Sequence, residues 1–355
     1  MKAVVFTKEG NSEIKEIEIP KINSDQALLK VGACAVCGTD VKLESGRSSK
    51  LNKHGKGRKM NYPVVSGHEL SGEIVKIGKN ISDYKTGDRV NVMPNLSCGK
   101  CYYCQIGHHE LCDDEKVIGF DYNGAFAEYM IIPERAIRLG CVNKLSDNIT
   151  FEEGALVEPV GVSINCQYLS NIGINDTVLI IGAGPLGCIN AELAKINGAK
   201  KVILAQRSKF RLEFAKKFTA DAYISTTEED IIERVLEETN GDGADKIILC
   251  CSSDEMFGKS LNMIRKMGGI NFFASLSKDN PFVKLDCNLI HYREIKITGT
   301  YNSTPLQNRI AYGLIEKGAI NIKELITHKF GLNDYYDAIS SAKSGKAMKV
   351  MVNPK

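Results

Sequence analysis

The chain has 355 residues, 43% hydrophobic and 25% charged, which is long enough and apolar enough for two or three domains with their own cores. That composition excludes a disordered chain, a collagen-like repeat and a small disulfide scaffold. The formal net charge of +3 is too near zero to imply a nucleic-acid partner. The longest uncharged stretch, Pro159 to Asn175, carries Ser, Asn and Gln throughout, so no membrane span or membrane partner is expected. The opening MKAVVFTKEG lacks the longer apolar core of a secretory signal, and a cytoplasmic location is expected. There, twelve cysteines read as thiols or metal ligands rather than disulfides.

The first 150 residues read as mostly β. AVVF, ALLKVGACAV, GEIVKIG, DRVNVMP and FAEYMIIP are short apolar or alternating runs between Gly, Asn and Asp, the pattern of strands. Near Phe151 the pattern changes. FEEGALVEPVGVSINCQYL has helical spacing, with Ser146 and Asp147 as its expected start. From Asp176 strands and helices alternate. TVLIIG, KVILAQ, DAYIS, DKIILCC and GINFFAS read as strands. PLGCINAELAKING, KFRLEFAKKF, EEDIIERVLEETN and DEMFGKSLNMIRKMG read as helices between them. Such alternation means βαβ units and a parallel sheet covered on both faces. After IKITGTY come two helices, TPLQNRIAYGLIEKG and LNDYYDAISSAKSG, and a last strand, KVMVNP. The fold class is therefore α/β, with a β-rich first part.

Three features carry chemistry. CGKCYYCQIGHHELC places Cys98, Cys101, Cys104 and Cys112 at Cys-x2-Cys-x2-Cys-x7-Cys. Four thiolates on one compact lobe suit a tetrahedral Zn²⁺ with every position filled by protein, hence structural; an iron–sulfur cluster is the rival metal reading.

TVLIIGAGPLG holds Gly182, Gly184, Pro185, Leu186 and Gly187 between an apolar strand and a helix. Gly182 allows the tight turn, Gly184 lets backbone approach a pyrophosphate, and Gly187 lets helix and strand pack closely. The helix N-terminus offers free N–H groups to phosphate. At the end of the next strand a carboxylate usually accepts from the ribose of NAD. Here Gln206, Arg207 and Ser208 stand there. Nothing repels a 2′-phosphate, and Arg207 and Ser208 can hold one, so NADP(H) is expected in preference to NAD(H).

The third feature is dispersed: Cys37, Thr39 and Asp40 in VCGTD, His68 and Glu69 in GHE, and Glu158 in VEP. Together they supply a thiolate, an imidazole and two carboxylates, a mixed set able to bind zinc with one position left for water or substrate.

Cys37-Gly38-Thr39-Asp40, Gly67-His68-Glu69, the four-cysteine lobe and the Gly182–Gly187 turn occur in one order along the whole chain. In this the sequence resembles the zinc-dependent medium-chain dehydrogenase/reductase family. Val157-Glu158-Pro159 and NLIHYREIKITGTY are similar to its polyol branch, the sorbitol and L-iditol 2-dehydrogenase-like proteins.

The resemblance implies a GroES-like catalytic domain over 1–158 with a zinc lobe at 95–113, a Rossmann domain over 159–298, and a return to the first domain over 299–355, with the active site in the cleft between them. It implies two zinc ions per subunit. Cys37 and His68 are ligands of the catalytic one, and Glu69 and Glu158 complete its shell directly or through water. Asp40 orients the zinc histidine, and Thr39 is a hydroxyl within reach of the reacting oxygen. It also implies a homo-oligomer, dimer or tetramer. The implied activity is hydride transfer between a secondary alcohol of a polyol or sugar alcohol and NAD(P). An amino-alcohol dehydrogenase such as threonine 3-dehydrogenase shares most of these ligands. A non-catalytic redox sensor or structural protein of the same fold is disfavoured, because the ligand set is whole.

Two departures concern the substrate. The stretch between Cys37 and His68 is several residues longer than usual in the family and basic, with Arg47, Lys50, Lys53, His54, Lys56, Arg58 and Lys59. It reads either as a receiver of a sugar phosphate or as a solvated surface loop. Thr300 stands where related polyol dehydrogenases often have arginine, which speaks against sorbitol itself. Cys166 reads as a buried helix thiol rather than a ligand.

Overall fold

The computed structural model describes residues 1–47, 60–277 and 279–354. Of the basic stretch, Arg47 is exposed, whereas Lys50, Lys53, His54, Lys56, Arg58 and Lys59 lie outside the described residues. Two compact units form: Met1–Val162 with Asn302–Lys355, and Ser163–Tyr301. The chain leaves the first unit within the helix Val157–Ser170 and returns just after the strand Lys296–Gly299.

The first unit is β-rich. Its central strand, Ala27–Ala35, is buried at every position but one. It is covered on both sides, which is why it reads as a nearly continuous apolar run. It pairs antiparallel with Glu69–Ile77, with Tyr129–Ile132 and with the C-terminal strand Lys349–Asn353. That last strand pairs parallel with Ile326–Gly331. The polar alternation of ITHKFG leaves this edge strand without an apolar run to announce it in the sequence. The core beneath these strands includes Phe6, Leu29, Leu70, Ile74, Phe126 and Tyr335.

The helical segment after residue 150 starts later than Ser146 and Asp147. Thr150 Oγ1 accepts from the Glu153 N–H at 3.2 Å, and the Glu153 carboxylate accepts from the Thr150 N–H at 2.9 Å. This reciprocal cap satisfies two otherwise orphaned donors. Ser146 instead donates its hydroxyl to Asn148 at 2.7 Å.

The second unit holds, among the described residues, a six-stranded parallel sheet of Thr177–Ile181, Lys201–Gln206, Ala222–Ser225, Ala244–Leu249, Ile264–Phe272 and Lys296–Gly299. Taken in chain order these strands lie 3-2-1-4-5-6. The order reverses between the first and fourth strands, and beyond their carboxyl ends lies the crevice where such sheets bind ligands. The helix expected over 254–268 is shorter: Asp254–Lys259 is α-helical, Ser260–Asn262 is a 3-10 turn, and Ile264 already opens a strand. Ile264 pairs with Ala244 and is buried with Ile270 in the core, so tertiary pairing overrides local helix propensity.

At the turn after the first strand, Gly182 has φ +109°, a conformation open to glycine and strained for other residues. A Cβ on Gly187 would lie 1.9 Å from the Gly182 carbonyl oxygen. Gly187→Ala should therefore push the helix Pro185–Ile196 off the turn and cost roughly 1–3 kcal/mol or more. Urea unfolding measures this; wild-type stability in the variant would contradict the close approach.

Candidate metal and cofactor sites

The strand Ala27–Ala35 delivers the first site. Ala35 pairs with Glu69 on one side and with Met351 on the other. Two residues later the chain reaches Cys37, the N-cap of the short helix Gly38–Glu44, which carries Thr39 and Asp40. His68 lies one residue before Glu69. Ligand atoms of Cys37, His68 and Glu69 all fall within 4.8 Å of one another. His68 and Glu69 are buried, and Cys37 and Thr39 are partly exposed.

Asp40, fully buried, organises this corner. Its carboxylate accepts from the Cys37 N–H at 2.9 Å and from the Ser66 hydroxyl at 3.0 Å. It also lies 3.7 Å from His68 Nδ1, beyond hydrogen-bond length. That buried nitrogen has no hydrogen-bond partner among the described residues. Burial pushes the Cys37 thiol up to about 12, and the nearby Glu69 carboxylate adds to this. A thiol this disfavoured as an anion needs a cation to become a thiolate, and the S, N and O donors together suit zinc. Glu158, half-buried at the second position of the helix Val157–Ser170, acts electrostatically on Cys37. Its carboxylate is outside the group that lies within 4.8 Å.

Lys349 is part of this corner and was not singled out in the sequence. It is 5% exposed, and its Nζ is ion-paired with Glu69, itself 2% exposed. Burial works against the ammonium, but Glu69, Cys37 and Glu158 outweigh it and hold Lys349 above its ordinary value. The signal was a lysine inside the otherwise apolar run KVMV, where a buried charge requires a partner.

The second cluster is Cys98, Cys101, Cys104 and Cys112, again with all ligand atoms within 4.8 Å. Sulfur–sulfur separations are 3.5 Å for Cys101–Cys104 and 3.9 Å for both Cys98–Cys104 and Cys101–Cys112. A disulfide needs about 2.05 Å. A tetrahedral zinc with ~2.3 Å bonds spaces its sulfurs roughly 3.8 Å apart. The sulfurs also accept backbone N–H groups, Cys98 N–H to Cys112 at 3.0 Å and Cys101 N–H to Cys98 at 3.3 Å. Burial works to raise Cys101, but the N–H groups of Asp113 and Cys104 overcome it and bring the thiol down to about 6.

In the second unit, Gly184 caps the helix Pro185–Ile196, with Pro185 at its first position and Leu186 next. Gln206 ends the second strand and turns back on its own loop, its Oε1 accepting the Arg207 N–H at 2.7 Å. Ser208 caps the helix Lys209–Ala215 by accepting the Arg211 N–H at 3.4 Å. Arg207 is exposed. Sequence reasoning passed over Arg211. Its Nη1 would sit 3.7 Å from a Cβ on Gly184, and its buried Nε has no partner among the described residues. Thr300 donates to Asn271 at 3.0 Å. Cys166 is fully buried in its helix, and burial pushes its thiol up to about 12.

Comparison with known proteins follows the same division. Residues 23–142 match the alcohol dehydrogenase GroES-like domain, and residues 185–317 the zinc-binding dehydrogenase domain. A D-arabitol-phosphate dehydrogenase of Enterococcus avium is 34% identical over 95% of this chain and 92% of its own. An L-threonine 3-dehydrogenase of Pyrococcus horikoshii is 32% identical over 99% of this chain and 98% of its own. A zinc-binding dehydrogenase of Sinorhizobium meliloti 1021, solved with NADP bound, superposes with a TM-score of 0.90 at 30% identity, covering 99% of both chains. The chain belongs to the zinc-dependent medium-chain dehydrogenase/reductase family, with its GroES-like domain and Rossmann domain.

Asp40→Asn would turn a doubly accepting carboxylate into a group with one acceptor oxygen. It should cost roughly 1–3 kcal/mol through an unsatisfied buried donor, read as a lower urea midpoint. An unchanged midpoint would show that Asp40 does not hold this corner.

Proposed function

We propose that the protein is a zinc-dependent, NADP-preferring dehydrogenase acting on a secondary alcohol of a polyol or sugar alcohol, in free or phosphorylated form. The observation that carries this is the convergence of Cys37, His68 and Glu69 from separate stretches of sequence. The arabitol-phosphate relative supports the substrate class. When bound, zinc supplies Lewis acidity that makes an alcohol acidic near neutral pH, and the oxidised nicotinamide accepts the hydride.

The remaining roles belong to the chain. Cys37 and His68 hold the ion, with Glu69 and Glu158 as the adjoining carboxylates. Asp40 fixes the Cys37 backbone. Thr39 passes the alcohol proton from the substrate oxygen toward solvent. In the second unit the turn Gly182–Gly187 and the N-terminus of its helix bind pyrophosphate. Arg207 and Arg211, with Ser208, receive the 2′-phosphate, and no carboxylate at Gln206 opposes it. The NADP-bound neighbour supports this preference. Four closely spaced thiols support a second, structural zinc. Twelve cysteines without a disulfide support a reducing, cytoplasmic setting. No helix among the described residues is long and apolar enough to cross a membrane.

A second reading, amino-alcohol oxidation, is favoured by the threonine 3-dehydrogenase relative. A reduction screen with NADP⁺ and NAD⁺ over polyols, polyol phosphates and amino alcohols separates the two. The expected result is turnover of a polyol or its phosphate, at least about tenfold faster in kcat/KM with NADP⁺. Cys37→Ala should abolish turnover and lose one of two zinc ions. Sole turnover of an amino alcohol, an NAD⁺ preference, or full activity in metal-free protein would each overturn the corresponding part.

A further inference from the structure

The four-cysteine lobe is closed in steps. Asn95–Leu96 pairs antiparallel with Lys116–Val117 at its base. One residue on, the Ser97 hydroxyl lies 2.8 Å from His109 Nδ1. One residue further, the Cys98 N–H donates to the Cys112 sulfur at 3.0 Å. Ser97 directly precedes Cys98, and His109 opens the 3-10 turn His109–Leu111 that delivers Cys112. A side-chain bond thus ties the two arms of the lobe just outside the sulfurs.

Which atom carries the bridging proton matters. Ser97 is 2% exposed, so its single hydroxyl proton needs an acceptor inside the protein. If Ser97 donates to the ring, that proton is lost to the sulfurs. If Nδ1–H donates to Ser97, the hydroxyl proton is free to point at Cys104. Burial pushes the Cys104 thiol up, and the Ser97 hydroxyl works against this by favouring the thiolate. Four thiolates exceed the charge of a divalent ion by two, and each N–H or O–H directed at a sulfur offsets part of that excess. The Cys98 sulfur has the N–H groups of Lys100 and Cys101 at 3.4 and 3.3 Å, and the Cys112 sulfur has that of Cys98. Cys104 is served by the Gly99 N–H and by the Ser97 hydroxyl.

We infer that His109 is a positioning residue of the four-cysteine centre: its Nδ1–H donates to Ser97, turns the Ser97 hydroxyl toward the Cys104 sulfur and so slows loss of the metal. This rests on the reading of the four cysteines as a structural zinc site. His109 acts through the serine, not on a sulfur of its own.

Zinc transfer to a chelator, followed in the whole protein, tests this. The Cys37→Ala variant, expected to lack the other ion, identifies the phase that belongs to the lobe. Ser97→Ala and His109→Phe should each speed that phase by at least roughly tenfold. The double variant should be no faster than Ser97→Ala, since the two residues act in series. Nitrogen NMR of the wild type should show the His109 proton on Nδ1. A ring with a merely structural role would leave the release rate at the wild-type value, or add its effect to that of Ser97→Ala. Either result, or a bare Nδ1, overturns the inference, and the NMR measurement decides even where a variant fails to fold. A wild-type lobe that carries no zinc, or carries an iron–sulfur cluster, overturns the zinc reading and the inference with it.

Discussion

The first unit depends on one constraint: the C-terminal strand must return to pair with Ala27–Ala35. That pairing places Lys349 next to Cys37 and Glu69, and the resulting ion pair is among the most deeply buried charges in the molecule. Removing one partner of such a pair leaves a charge in a low-dielectric interior, at a cost of roughly 3–5 kcal/mol. The return of residues 302–355 to the first unit is thus also part of how the site is built. The same segment supplies Tyr335, fully buried, whose hydroxyl donates to Glu44 at 3.2 Å at the end of the helix that follows Cys37.

The two cysteine environments differ in a way that follows from their surroundings. In the lobe, backbone N–H groups point at the sulfurs and the thiols crowd to tetrahedral spacing. At Cys37 the neighbours are carboxylates, an imidazole and a lysine. The first surroundings offer sulfur alone, and the second a mixed set of sulfur, nitrogen and oxygen donors.

The second unit shows a comparable economy. One turn after the first strand combines a left-handed glycine at Gly182, a close approach at Gly187 and a helix start at Gly184. Arg211 stands beside it and Arg207 follows the next strand, while Gln206 is occupied with its own loop. Local backbone geometry shapes the turn, while side chains from the next strand and helix set the charge beside it.

Much of this was legible in the chain itself. The Cys98–Cys112 spacing, the strand–glycine–helix run and the alternation from Asp176 are local patterns, and local patterns report on neighbours in sequence. The Thr150–Glu153 cap is equally local, a Thr-x-x-Glu signature within four residues, yet the start was expected at Ser146 and Asp147 instead. What the sequence could not show were outcomes decided by distant pairing. Ile264 joined a strand because Ala244 lay beside it, ITHKFG became an edge strand because Lys349–Asn353 was there to pair with, and Arg211 reached back to Gly184 from a later helix. Sequence alone determined the residue types a zinc site and a dinucleotide turn require. Only the tertiary structure decided that Cys37, His68 and Glu69 come together while the Glu158 carboxylate stands outside their group, and that Lys349 neutralises Glu69. Those facts depend on register between strands far apart in the chain, where a shift of one residue would turn every side chain to the opposite face.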